Sequence, residues 1–181
     1  MKNFRFVLRG ILMMLMICSV QMVMGQENEQ EKGHMQYGIN LNGTGFFYQI
    51  YTAVDVTAGW RFNDQRFLGL GTGRHRVEID DDAEPDNNNG TVTAIPLYLE
   101  YLRYFQFKKH PQSAFVLGVD AGGRLYTDRT PWKSDPEKVV PLLTAKLGFD
   151  FAVSKYFGLT LGLNATISDA GGIGANIGLR F

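Results

Sequence analysis

The sequence predicts an all-β protein, an eight-stranded antiparallel up-and-down transmembrane β-barrel, on three observations. Apolar and polar residues alternate with a period of two through most of the chain beyond residue 36. The polar face defined by that alternation mixes glycine with equal numbers of acids and bases, which suits a narrow lumen better than a solvated surface. The apolar face banks its aromatics at one end of the strands.

The first 25 residues are read separately. Lys2, Arg5 and Arg9 precede the apolar run "GILMMLMICSVQMVMG", and Val23-Met24-Gly25 fits cleavage before Gln26. Residues 1–25 are therefore expected to be a secretory signal peptide. A lipoprotein signal using Cys18 fits worse, because Ile17 is large for the position before a lipidated cysteine. Cys18 is the only cysteine, so a chain cleaved after Gly25 has no disulfide, thiolate metal site or cysteine nucleophile. Cleavage also removes three cations and leaves a net charge near −3. That argues against a nucleic-acid partner, which needs a basic surface. No later apolar run approaches the roughly 18 residues of a transmembrane helix, so any membrane crossing falls to strands. Residues 26–36 are expected to be a polar, flexible periplasmic lead-in, and residues 37–181 the barrel.

Eight strands are expected at about 36–46, 50–62, 66–79, 91–105, 113–127, 139–153, 157–168 and 172–181. The fifth sets Phe115, Leu117, Val119, Ala121 and Leu125 against Gly118, Asp120, Gly122, Arg124 and Tyr126. The sixth sets Leu143, Ala145, Leu147, Phe149 and Phe151 against Thr144, Lys146, Gly148 and Asp150. In the seventh, Phe157, Leu159, Leu161, Leu163, Ala165 and Ile167 alternate with small or polar residues. The eighth alternates Ile173, Ala175, Ile177, Leu179 and Phe181 with Gly174, Asn176, Gly178 and Arg180. Tighter connections are expected at 63–65, 106–112 and 154–156. Short ones at 47–49 and 169–171 and long polar ones at 79–90 and 128–138 follow odd-numbered strands. Pro96 and Pro141 read as rim features, since proline lacks the ladder donor.

Taken by parity, the polar face carries Asp55, Arg61, Glu100, Asp120, Arg124, Lys146, Asp150 and Arg180, interleaved with glycines. Glycine weakens a strand unless space is short, and unpaired buried charge is costly. These residues are accordingly expected to form a charge-paired network inside a filled barrel. Trp60, Phe62, Phe67, Phe105, Phe115, Phe149, Phe151, Phe157 and Phe181 cluster where strands meet the tighter turns, as an aromatic girdle at a periplasmic interface would. A soluble sandwich or soluble β-barrel binding protein would scatter them. Backbone polar groups in hydrocarbon must all be paired, so the sheet has to close. An even strand number then puts the start of the first strand and the finish of the last on the same, periplasmic side.

"FLGLGTG" (67–73), "IPLYLEYLRYF" (95–105) and "IGLRF" (177–181) resemble the small outer-membrane β-barrel domain family of Gram-negative bacteria, porin-superfamily relatives of the eight-stranded OmpX and OmpA barrels. The resemblance covers nearly all of the chain after the signal peptide. It implies location in the cell outer membrane, and an assembly signal at Ile177, Leu179 and Phe181 read by the barrel assembly machinery. It carries over no catalytic residue.

Candidate chemistry is sparse, and neither a cofactor nor a metal is expected. The acidic stretch 80–90 invites a calcium reading, but its spacing does not fit an EF-hand loop, and a solvated extracellular loop is the simpler reading. His34, His75 and His110 share no metal-ligand spacing, and His75 is expected to be isolated. A lipid-A-modifying enzyme would need His75 beside a partner such as Thr72 or Ser168, and no spacing supports a triad. Arg74 and Arg76 lie on the lipid-facing parity near the outer rim, where they are expected to contact lipopolysaccharide phosphates. The function expected is a non-enzymatic, monomeric, structural or surface-interacting outer-membrane protein with an unidentified extracellular ligand; a narrow channel for small solutes is the alternative.

Overall fold

Eight strands close into a single antiparallel barrel in which each strand pairs with its neighbours in sequence and β1 pairs with β8. The computed structural model describes residues 33–46, 49–62, 65–79, 90–108, 110–127, 139–154, 157–168 and 171–181. The strands are β1 (His34–Phe46), β2 (Gln49–Phe62), β3 (Arg66–Ile79), β4 (Gly90–Phe107), β5 (His110–Tyr126), β6 (Val139–Ala152), β7 (Gly158–Ile167) and β8 (Gly172–Arg180). Expected signal peptide, acidic loop and second long loop lie outside the described residues.

The period-two pattern becomes two faces. Along β6, Val140, Leu142, Thr144, Gly148 and Asp150 are buried, while Val139, Pro141, Leu143, Ala145, Leu147, Phe149 and Phe151 are exposed. The outward face is largely apolar: Ile39, Leu41, Val54, Val56, Leu70, Leu97, Leu99, Leu147, Leu163 and Ile177 all lie open on it. Ile173, on β8, is 69% exposed. A chain folded in water alone would bury such residues, so the molecule is inverted relative to a soluble domain.

The barrel closes through the last residue of the chain. Phe181 N–H donates to the Tyr37 carbonyl at 2.9 Å, and Tyr37 N–H donates back to the Phe181 carbonyl at 3.0 Å. The ladder runs on from there, Gly38 opposite Arg180 through Gly45 opposite Ile173. The carboxyl-terminal strand therefore cannot fray without opening the seam.

Four expectations about the elements change. β1 starts at His34, inside the segment expected to be lead-in, because Gln36 is buried and holds Arg61. β4 runs to Phe107 and β5 starts at His110, so the expected 106–112 connection shrinks to 108–109; a register shift at Gln106/Phe107 lets the hairpin continue. Pro96 is not at the rim: β4 starts at Gly90, and Pro96 is a fully buried mid-strand residue. It is accommodated where the β3–β4 ladder skips the pairs between Thr72–Leu97 and His75–Ala94, and its carbonyl accepts from Thr72 Oγ1 at 2.8 Å. Phe67, expected in the outward girdle, is 1% exposed and faces inward. It shares parity with Gly69, Gly71 and His75 and packs with Tyr104, Ala114 and Val116.

Candidate functional site

The lumen is filled by apolar clusters and by polar side chains packed beside them. Toward the short connections, Phe67, Tyr104, Ala114 and Val116 pack together, with Leu102 against them. Toward the long loops, Tyr51, Ala53 and Val77 form one apolar cluster, and Val92, Ala94, Tyr126 and Val140 another. All eight charged residues expected on the polar face line the lumen, some level with these clusters: Arg61 is the register partner of Phe67, Asp150 of Ala114 and Arg124 of Val140.

At mid-height, β4 and β5 place Glu100 directly opposite Asp120. Like charges opposite one another repel, and these two are buried. Lys146 answers both: its Nζ lies 2.7 Å from Glu100 Oε1 and 2.7 Å from Asp120 Oδ2. The ammonium reaches because its lateral neighbour on β5 is Gly118, where a Cβ would stand 3.4 Å from the Lys146 Cβ.

Nearer the short connections, Arg180 clamps Asp150 with two bonds, Nη2 to Oδ2 at 2.6 Å and Nε to Oδ1 at 3.2 Å. Thr160 Oγ1 donates to the same carboxylate at 3.1 Å. Both residues beside Arg180 in the ladders are glycines, Gly38 and Gly158, and a Cβ on Gly158 would strike the guanidinium. Beside this pair, Arg61 donates from Nη1 to Gln36 Oε1 at 3.1 Å and stacks 4.0 Å over the Tyr104 ring.

Nearer the long loops, Asp55 accepts from Asn42 Nδ2 at 2.8 Å and from His75 Nε2 at 2.9 Å. A carboxylate only accepts, so Nε2 carries a proton, and the Tyr51 hydroxyl lies 2.9 Å from Nδ1 and 3.0 Å from Nε2. Arg124, 0% exposed, stacks 4.7 Å over the Tyr51 ring. His75 is thus not isolated but a buried member of a Tyr51–His75–Asp55–Asn42 chain. Asn164 extends that chain, donating to Asn42 Oδ1 at 3.3 Å and accepting from Thr44 at 3.1 Å. Sequence reasoning missed these neutral partners because asparagine, tyrosine and threonine on a polar face carry no signal of their own. The inner parity of His75 was legible beside the exposed Arg74 and Arg76.

Two small cavities flank Lys146. One, of about 40 Å³, is lined by Gln36, Asn40, Thr57, Glu100, Thr160 and Arg180 among others and has room for a few waters. The other, of about 10 Å³, lies between Tyr98, Asp120, His75, Asp55 and Asn164 and has room for about one.

The outward face carries the other expected residues. Trp60, Phe62, Phe105, Phe149 and Phe181 are exposed and Phe157 half-buried, all at the short-connection end. The rings run on as a belt: Phe105 lies 6.3 Å from Phe115, which lies 5.7 Å from Phe149; Phe107 stacks on Phe149 at 6.3 Å; Phe157 lies 5.6 Å from Phe181. Phe107 belongs to this belt and was hidden by the expected turn. Ile177 and Phe181 lie open on β8 and at its end, with Leu179 half-buried between them. Arg74 and Arg76 point outward near the loop end, Arg76 paired with Glu78 at 3.0 Å. Thr72 points outward and His75 inward, so the pairing a hydrolase would need is split between opposite faces of β3. No group of three metal-ligating side chains occurs among the described residues.

No family model matches the sequence, and no curated protein does. The architecture is that of eight-stranded outer-membrane barrels of known structure. The N-terminal β-barrel domain of Pseudomonas aeruginosa OprF is similar with a TM-score of 0.54 at 15% identity, over 83% of this chain and 98% of that one. Neisserial surface protein A is similar with a TM-score of 0.55 at 13% identity, over 83% and 98%. At such identities the shared property is the fold.

Proposed function

We propose that this chain is a non-enzymatic outer-membrane β-barrel protein with a closed, ion-paired lumen, acting as a structural or surface-interacting element of the Gram-negative cell envelope. The observation that carries this reading is the inversion of the molecule: a largely apolar outward face, belted by aromatics at one end, around a lumen that holds buried ion pairs. Only a surrounding of hydrocarbon makes that distribution favourable. Sharing a fold with OprF and NspA barrels supports the location.

Topology then follows. A signal peptide cleaved before Gln26 exports the chain; the short connections, the start of β1 and the finish of β8 face the periplasm; the loops around 80–89 and 128–138 face outward as the surface for an extracellular ligand. Ile177, Leu179 and Phe181 present the assembly signal to the barrel assembly machinery. Arg74 and Arg76 meet lipopolysaccharide phosphates at the outer rim, and Arg74→Ala with Arg76→Ala lowers lipopolysaccharide retained on purification. The barrel works as a monomer.

The deciding experiment is gel migration of the outer-membrane fraction with and without boiling. A folded barrel migrates differently after boiling; recovery in the soluble periplasmic fraction overturns the reading. The second reading, a narrow solute channel, draws on the cavities either side of Lys146. It requires Lys146 to leave one of its carboxylates.

A further inference from the structure

We infer that the lumen binds one ordered water between the Tyr98 hydroxyl and the second oxygen of the Asp120 carboxylate, as a built part of the Lys146 cluster. Among the described residues, three buried side-chain oxygens have no protein partner: Tyr98 Oη, Asp120 Oδ1 and Asn176 Oδ1. Their residues are 3%, 5% and 6% exposed. A buried oxygen left so carries the full desolvation penalty of its group. Each of the three residues borders a cavity. Tyr98 and Asp120 border the one of about 10 Å³, and Asn176 the one of about 40 Å³. Orphaned oxygens that all fall beside cavities mark where water completes the bonding.

The register brings Tyr98 and Asp120 together. Gly122 stands opposite Tyr98 in the β4–β5 ladder, and Asp120 is two residues along, so the two side chains are diagonal neighbours on the inner face. On the other side of Tyr98 is Gly71, where a Cβ would stand 2.7 Å from Tyr98 Oη. Glycine on both flanks gives the ring room and gives the hydroxyl no side chain to bond. Asp120 spends Oδ2 on Lys146 at 2.7 Å and keeps Oδ1 for the cavity. Lys146 borders the same cavity, with its Nζ 5.7 Å from the centre of the Tyr98 ring. Its ammonium has three protons and two carboxylate contacts, so one proton remains to give.

The chemistry of the lining selects water. It offers a hydroxyl that can donate, a carboxylate oxygen that only accepts and an ammonium that only donates. One water bonds all three: it accepts from Tyr98 Oη and Lys146 Nζ and donates to Asp120 Oδ1. Its second proton has Thr144 and Asn164 in the same lining. A cation there would meet the Lys146 ammonium, and an anion would meet the carboxylates of Asp55 and Asp120. The volume is that of about one water. Asp55, His75 and Asn42 border this cavity too, so the water joins the Glu100–Lys146–Asp120 cluster to the chain that runs through His75.

The sign of one conservative substitution reads the site. Tyr98→Phe removes an oxygen and keeps the ring. Were Tyr98 Oη buried with no partner at all, its removal would strengthen folding. With the water in place the substitution breaks a hydrogen bond, and the folding equilibrium constant is expected to fall about tenfold, measured by urea unfolding of the full chain in lipid vesicles. A crystal structure of the full chain is expected to show an ordered water at about 2.7–2.9 Å from both Tyr98 Oη and Asp120 Oδ1.

A Tyr98→Phe barrel as stable as the parent, or more so, overturns the inference. So does electron density that places no water within bonding distance of both oxygens. Crystals soaked in rubidium or bromide test the ionic alternatives: anomalous signal from either ion between Tyr98 and Asp120 overturns the assignment to water, and water density without that signal supports it. The site draws on the geometry of the lumen alone, so its failure would leave the membrane reading standing.

Discussion

Lys146 holds apart two carboxylates that the β4–β5 register sets side by side. Lys146→Met leaves Glu100 and Asp120 buried without their cation. It is expected to cost about 3–5 kcal/mol, read from urea unfolding of the barrel in lipid vesicles. Adding Glu100→Gln restores part of the loss, because a single remaining carboxylate no longer faces its like. The glycines answer to the same crowding. Tyr98 has Gly71 on one side and Gly122 on the other, and a Cβ at Gly71 would enter the Tyr98 ring. Gly71→Ala therefore costs about 1–3 kcal/mol, and much less in a Tyr98→Ala background, as a double-mutant cycle with the same unfolding assay would measure. The acids and bases of this lumen were legible one by one from parity. Their partners were not, because Arg180 meets Asp150 only across the β7 strand that separates them, and a pattern along one strand is silent about the next-but-one.

At the scale of elements, β8 bears the closure of the sheet. Phe181 contributes two backbone hydrogen bonds to Tyr37 as well as a ring against Phe157. In hydrocarbon an unmade backbone bond costs several kcal/mol, since no water replaces it. Deleting Phe181 should reduce outer-membrane levels much more than deleting residues 27–32, as immunoblots of the membrane fraction would show. Equal levels would remove the terminal residue from the assembly argument. Strand existence and facing were readable in the sequence, because a period of two over ten or more residues admits no helical reading. Errors fell where parity was overridden by appearance. Phe67 looks like a girdle residue by type and position, yet Arg66 and Leu68 occupy the outward parity beside it. Pro96 looks like a strand start, yet β4 begins six residues earlier. Phe107 looks like a turn residue, yet a register shift extends the hairpin past it.

At the scale of the molecule, apolar clusters and buried ion pairs together fill the lumen. Planar-bilayer recordings of the purified barrel are expected to show no stable openings. Openings that Glu100→Ala or Arg124→Ala alter would favour the channel reading instead. The lumen is narrow because eight strands leave space only for side chains, and the side chains that fill it are long and charged beside glycines that yield to them.

The alternation of apolar and polar residues, by itself, determined eight strands, two faces, the charged content of the inner one and the aromatic end of the outer one. Those properties follow from the geometry of a single strand, whose side chains point to opposite sides at every step. Tertiary structure alone decided that Glu100 and Asp120 share Lys146, that His75 joins Asp55 to Tyr51, and that Phe181 seals the seam against Tyr37. Each depends on the register between strands far apart in the chain. That register is set when the whole barrel closes at once, so no local stretch of sequence records it.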